Sequence, residues 1–247
     1  MKPFEAEKRV LPDFGRTHHL PWRANGSDDD SVAREEYAGM IFHGELTVEE
    51  KIDGACVGIR HTGDEPILRN REHILRKGYI KDTPSKMQFR PLWGWYYDHR
   101  ESFEKLNALL GIEASVYGEW LYAKHTLYYD RLPALFVAHS IWDPADGSFV
   151  PQPQARDALV GAGFSVPRLI ATRVPSVEAL YGWMDLDSEF GDCKVEGVYV
   201  KVSDPVKDGV VHRFKMVRPD FRSDPNWVHR PLVRNLVSKD FKVTTRA

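Results

Sequence analysis

Cysteine is nearly absent from this chain of 247 residues: Cys56 and Cys193 are the only two. They lie far apart with no CxxC spacing, which excludes a disulfide framework or a zinc knuckle and makes a reducing, cytoplasmic location the default. No apolar run approaches the roughly 20 residues a membrane-spanning helix needs. The N-terminal stretch MKPFEAEKRVLPDF has no signal-peptide core. A GxxxxGK[ST] loop is missing, and GAGFSV breaks the GxGxxG spacing at Val166. There is no HExxH and no Cys/His ligand spacing, so His18 and His19 read as loop residues. An excess of one charge sign is lacking too. The net charge of -2 gives no global pull toward polyanions, but it leaves room for a local basic groove. Basic residues do cluster, at 69–81 and 212–222.

What is present is the composition of a soluble globular protein, 42% hydrophobic and 28% charged. The length fits one large domain or two small ones, and without repeats or a linker the chain reads as a single domain, 1–247. Its first thirty residues read as ordered loop. DDDSVAREEYAGMI predicts a short helix with Asp30 or Ser31 as N-cap. EKIDGACVGIRH predicts two strands meeting at Asp53-Gly54. Helices are predicted over 101–112, with Gly111 near the C-terminus, over 153–164, and over 176–186 with Ser176 as cap. Strands are predicted over 115–123, 134–143, 194–202 and 210–217. Strands dominate and helices are interspersed irregularly, so the fold class is α+β and not a doubly wound sheet.

Several residues have the chemistry for a site. Lys51, two residues before Asp-Gly, is a turn lysine or a nucleophile, and an amine becomes nucleophilic where its surroundings favour the neutral form. Alternation puts Tyr117, Glu119 and Leu121 on one strand face. A carboxylate among apolar neighbours needs a partner, such as a ribose hydroxyl or a metal ion. Glu196 shares a predicted face with Val198, Val200 and Val202 and raises the same question. Arg213 and Lys215 project from one face of their strand, with Phe214 and Met216 on the other. Two adjacent cations suit an anion such as a triphosphate, or a solvated strand edge.

In their order along the chain these stretches resemble the covalent nucleotidyltransferase superfamily of ATP-dependent ligases and mRNA capping enzymes. KIDG matches KxDG, followed by an arginine segment (LRNRE), a glutamate strand, an aromatic-rich strand, the EG of KVEGVYVKV, and RFK as a KxK-like strand. YGEWLYAKHTLYYDRLPALFVAHSIWD is similar to a block of the RNA ligase 2-like family. FGRTHHLPW and VRPDF resemble segments of its nick-sealing, Deinococcus-type branch. The resemblance runs from about Phe14 to Phe221.

It implies a nucleotidyltransferase fold, antiparallel sheets flanked by helices with the nucleotide between them. It also implies an RNA ligase that uses ATP and Mg2+ or Mn2+. Lys51 would attack the α-phosphate to form a lysyl-AMP; AMP would pass to an RNA 5′-phosphate and be displaced by a 3′-OH. Glu50 would lie near the adenine amino group, and Glu119 would hold the ribose. Arg69, or alternatively Arg71, would contact ribose and phosphate. Glu196 would help bind the metal, and Arg213 and Lys215 would contact phosphates. Three positions depart from the family pattern. His139 and Ser140 stand where an aromatic-Asp pair is usual, leaving His139 to stack on the base. Arg213 replaces the first lysine of KxK. No appended OB-fold or similar module is evident, which suggests a partner protein that grips the RNA or nicked duplex in its place. The rival readings are a DNA ligase or capping-type transferase and, outside enzymes, a nucleic-acid end-binding module.

Overall fold

A computed structural model describes residues 3–23, 31–63, 65–78, 83–203 and 211–238. The proposed cap Asp30 and residues 79–81 of the first basic stretch lie outside the described residues. The described strands are β1 (His18–His19), β2 (Glu45–Lys51), β3 (Ala55–Arg60), β4 (Ile67–Asn70), β5 (Ile74–Leu75), β6 (Ser115–Trp120), β7 (Phe136–Asp143), β8 (Ser148–Phe149), β9 (Leu169–Ala171), β10 (Gly197–Ser203) and β11 (Val211–Val217). They form two sheets, ordered β1-β11-β10-β2-β9 and β5-β4-β3-β6-β7-β8. Every pairing is antiparallel except β1 with β11. The predicted α+β class holds in this form: two antiparallel sheets with a few helices.

Each sheet buries one face against helices. In the first, Val48, Val198, Val200, Phe214 and Met216 pack on Ala38, Ile41, Leu180 and Met184. In the second, Val57, Val116, Trp120 and Ala138 pack on Leu92, Phe103, Leu106 and Leu159. These side chains sit at alternate strand positions, as the pleat requires. The intervening positions, among them Glu49, Tyr199 and Lys201, turn toward the other sheet, whereas Glu50 is paired with Val198 of the helix-backed face.

The helices Arg100–Leu110, Gln154–Ala162 and Val177–Met184 lie where the sequence predicts them. The first ends at Gly111, whose φ of 68° favours a residue without Cβ. The Ser176 hydroxyl accepts from the Ala179 amide and caps the third.

Two expectations need correction. Residues Pro3–Val10 form a helix and His18–His19 a short strand paired in parallel with β11, where loop was expected. The helix expected after Ser31 is confined to Glu35–Ala38 plus a 3-10 turn, Gly39–Phe42. The two strands meeting at Asp53-Gly54 are present as the sequence predicts, β2 in one sheet and β3 in the other. The KIDG segment is therefore the crossing point between sheets, because each strand finds its hydrogen-bonding partners elsewhere: β2 with β10, and β3 with β6.

Candidate active site

Lys51, the last residue of β2, stands at this crossing. Its Nζ donates to Glu196 Oε2 at 2.5 Å. Burial works against the ammonium, but the carboxylates of Glu196, Glu119 and Asp53 overcome it and hold the lysine pKa above its ordinary value. Glu196 is pushed up in turn, by burial foremost, and is held down by Lys51 and Lys215. The resting lysine is thus an ammonium ion with its proton aimed at a carboxylate.

Glu196 reaches this position by breaking alternation. It precedes the first residue of β10, and it meets Lys51 while Val198, Val200 and Val202 enter the helix-backed core. The expectation that all four share a face is corrected at Gly197. A Cβ there would fall 2.1 Å from the Met216 carbonyl oxygen, so only glycine allows β10 to start this close to β11.

Asp53 has an anchoring place. Its Oδ2 accepts from the amides of Thr126 and Leu127, and its own amide donates to the Tyr129 hydroxyl. Asn235 fastens the same region, donating to the carbonyls of Leu121 and Ala123 and accepting from the Tyr129 amide. Together they fix the loop after β6 against the KIDG turn.

Glu119 projects from β6 on the face opposite Val116 and Trp120, as alternation predicts. Burial raises its pKa to about 7, against the pull of Lys51 and Arg71. Its Oε2 is buried without a hydrogen-bond partner. Beside it, His139 Nε2 lies 3.9 Å from Glu119 Oε1, and His139 Nδ1 lies 3.0 Å from Ser140 Oγ. A bulge sets this up: Tyr117 pairs with Ser140 and Gly118 with Ala138, leaving His139 as the extra residue. Burial, helped by Lys201, Arg213 and Lys51, depresses the His139 pKa well below normal, so the ring is neutral. It stacks toward Tyr199, with centroids 6.2 Å apart and planes at 24°.

Glu50 is buried on the far side of Lys51. Ser188 Oγ donates to its Oε1 at 2.6 Å, while its Oε2 has no partner. Burial pushes its pKa up to about 7, against the Ser188 hydrogen bond. Arg213 lies between two rings, 3.9 Å from the Phe14 centroid and 4.4 Å from Phe149, and donates to the Phe14 carbonyl. Its Nη1 is buried without a hydrogen bond. Lys215, one pleat away, is half-buried. Arg69 is buried and donates to the carbonyls of Leu11, Asn70 and Arg71. Arg71 is exposed, and its charge acts on Glu119 and Cys56.

The residues singled out in the sequence therefore converge on one region, with Arg69 committed to backbone carbonyls at its margin. Sequence reasoning missed Glu49, Lys201 and Arg156. Lys201, buried, donates to Glu49 Oε2 at 2.5 Å and to the His139 carbonyl at 2.6 Å, tying the two sheets together. Arg156 donates to Glu49 Oε1 and to the Pro167 carbonyl. Counting back two residues from Lys51 finds Glu49, and a lysine inside the apolar run VYVKV marks Lys201. Arg156 carries no such signal.

The side chains of Glu50, Lys51, Glu119, His139 and Tyr199 line a cavity between the sheets. Glu119, Glu196 and Asp53 gather negative charge around Lys51. The unpartnered oxygen of Glu119 and this carboxylate surplus suit a hard divalent cation with oxygen ligands. The flat neutral imidazole and the buried carboxylates suit a nucleoside.

Comparison with known proteins bears on the fold and the family. No curated protein matches the sequence significantly. Among solved structures, a Naegleria gruberi RNA ligase with pyrophosphate superposes with a TM-score of 0.53 at 16% identity, covering 83% of this chain and 59% of that one. A variant of that enzyme with ATP and Mn gives 0.52 at 17% identity, covering 74% and 54%. Another, with AMP and Mn, gives 0.52 at 17%, covering 82% and 59%. The chain thus spans less than two thirds of the length of these structures, and at such identity the likeness is one of fold. The RNA ligase family profile matches residues 44–217, a span from β2 through β11 that takes in every side chain described around Lys51 except Phe14 and Asn235. By that match the chain belongs to the RNA ligase family.

Proposed function

We propose that the protein is an ATP-dependent RNA ligase that works through a lysyl-AMP on Lys51, in the nick-sealing branch its sequence resembles. The observation that carries this reading is the Lys51–Glu196 contact at 2.5 Å in a cavity also lined by Glu119 and His139. Glu196 accepts the ammonium proton as Lys51 attacks the α-phosphate. The new bond is Nζ–P; the bond broken joins the α-phosphorus to the bridging oxygen, and pyrophosphate leaves with the electron pair. AMP then passes to an RNA 5′-phosphate, and a 3′-OH displaces it to close the phosphodiester.

His139 stacks on adenine, Glu50 meets its amino group, and Glu119 holds the ribose. Lys215 and Arg213 face the phosphates. The contact proposed for Arg69 or Arg71 goes to Arg71, because Arg69 is committed to three carbonyls while the charge of Arg71 reaches Glu119. Glu196 and Glu119 are the residues that would hold Mg2+ or Mn2+, which when bound neutralises the phosphate charge. The polynucleotide substrate has 5′-phosphate and 3′-OH ends.

The test is mass spectrometry after incubation with ATP and metal. Wild type gains one AMP and Lys51→Ala gains none. Sealing of a panel of 5′-phosphorylated RNA, DNA and mixed nicks then assigns the substrate. Adduct with GTP and not ATP points to a capping-type transferase, sealing confined to DNA points to a DNA ligase, and a folded protein that never forms an adduct points to an end-binding module.

A further inference from the structure

Cys56 has no part in the chemistry above. It sits on β3 directly opposite Glu119 on β6, so the two side chains share a sheet face at the separation of a cross-strand pair. The β7 bulge brings His139 to the same place. The Cys56 Sγ, a Glu119 carboxylate oxygen and a His139 ring nitrogen all lie within 4.8 Å of one another. The nitrogen facing Glu119 is Nε2, while Nδ1 is engaged with Ser140 Oγ. An imidazole with one nitrogen fixed by a hydrogen bond and the other free to bind is the usual arrangement of a histidine ligand. The Glu119 Oε2 is buried without a partner.

Thiolate, imidazole and carboxylate together favour zinc over magnesium. Four-coordinate zinc with bonds of about 2.0–2.3 Å needs ligand atoms roughly 3.3–3.7 Å apart, so small side-chain rotations of these three close the site. Three protein ligands leave one position open to water.

We propose that Cys56, Glu119 and His139 form a Zn2+ site inside the cavity, so that zinc and nucleoside compete for Glu119 and His139. The competition rests on the function proposed above; the metal site does not. Binding forms Zn–S, Zn–N and Zn–O bonds and releases the thiol proton to solvent. Occupancy withdraws from the nucleotide the two side chains that face its base and ribose, which makes adenylation sensitive to free zinc while the hard cations still support it.

Cobalt(II) reports the thiolate ligand through an intense near-ultraviolet charge-transfer band. Wild type titrated with Co2+ should develop this band, saturate at one equivalent, and lose it when Zn2+ is added. Cys193→Ser should keep the band and Cys56→Ser should abolish it, with folding followed by circular dichroism and Cys56→Ala used if the serine variant misfolds. Adenosine, which carries base and ribose without chelating phosphates, should suppress the band. In the adduct assay, Zn2+ should inhibit wild type at concentrations at least tenfold below those that inhibit Cys56→Ser. No band in wild type, or an unchanged band without Cys56, overturns the site. A band indifferent to adenosine, or equal zinc sensitivity of both proteins, overturns the competition. Because the band is read without turnover, absence of any lysyl-AMP would sink the proposed ligase reaction and leave the metal site standing.

Discussion

Replacing Glu50 with glutamine should make the apo protein more stable at alkaline pH and less stable at acid pH. Glu50 is 2% exposed, and burial raises its pKa from about 4.5 to about 7. A carboxyl whose folded pKa is raised binds its proton more tightly in the native state, so its contribution is fully present below the unfolded pKa and is lost as pH rises through the folded one. Between pH 5 and pH 8 that loss amounts to roughly 2.5 kcal/mol. Glutamine keeps the acceptor for the Ser188 hydroxyl, but it places an amide NH2 where Glu50 Oε2 now lies buried without a partner. An unsatisfied buried donor costs about 1–3 kcal/mol at every pH. Glu50→Gln should therefore gain roughly 2.5 kcal/mol on wild type between pH 5 and pH 8, being the less stable of the two at the first and the more stable at the second. Urea melts at both pH values, read by tryptophan fluorescence, give the comparison. A variant whose stability runs parallel to wild type across this range would show that Glu50 does not titrate there and that burial does not govern its charge.

Single-turnover formation of the lysyl-AMP should rise with pH from 6 to 9, because Glu196, Glu119 and Asp53 keep Lys51 protonated and the neutral fraction limits attack; a flat profile in a rapid-quench series would contradict that charge state. Lys215→Ala should slow adenylation roughly a hundredfold or more, the usual cost of one lost charged contact to a transition state, whereas Arg213→Ala, which empties the space between Phe14 and Phe149, should show its main effect as a lowered melting temperature. Arg71→Ala should cut the rate of adduct formation with an unchanged melting temperature, and Arg69→Ala should do the reverse by freeing three carbonyls. Sealing substrates should bind more weakly with rising salt, in proportion to the phosphates contacted, and a gel-shift series insensitive to salt would remove the basic stretches from the interface.

Much of the fold was legible in the sequence because the helix and strand signals there are local. Alternation in β6 put Glu119 opposite Val116 and Trp120, and a single serine marked the start of the helix at Val177. Partnership was not legible. Nothing in EKIDGACVGIRH says that its two strands part into different sheets, since that choice depends on β10 and β6, far along the chain. The N-terminal helix Pro3–Val10 was hidden for a similar reason. Its sequence is short and polar, and it is held through distant contacts such as the Val10 carbonyl accepting from Ser115 and Arg76 pairing with Glu7.

The places where simple periodicity failed are also the places where the site is built. Glu196 meets Lys51 from the position just before β10, while Val198, Val200 and Val202 enter the helix-backed core. His139 reaches Glu119 because β7 carries one residue more than β6 can pair. A regular strand at either point would send the side chain toward the helices or into register with its neighbour, and Lys51 would face a cavity without its proton acceptor or the stacking ring. Such irregularities cost backbone hydrogen bonds and are kept where they aim a functional group. Lys201 fits the same logic from the structural side: its ammonium is buried between Glu49 and the His139 carbonyl, so the charge that ties the sheets together also fixes the bulged residue. Removing that tie should loosen His139 before it unfolds either sheet, because each sheet has its own helix-backed core.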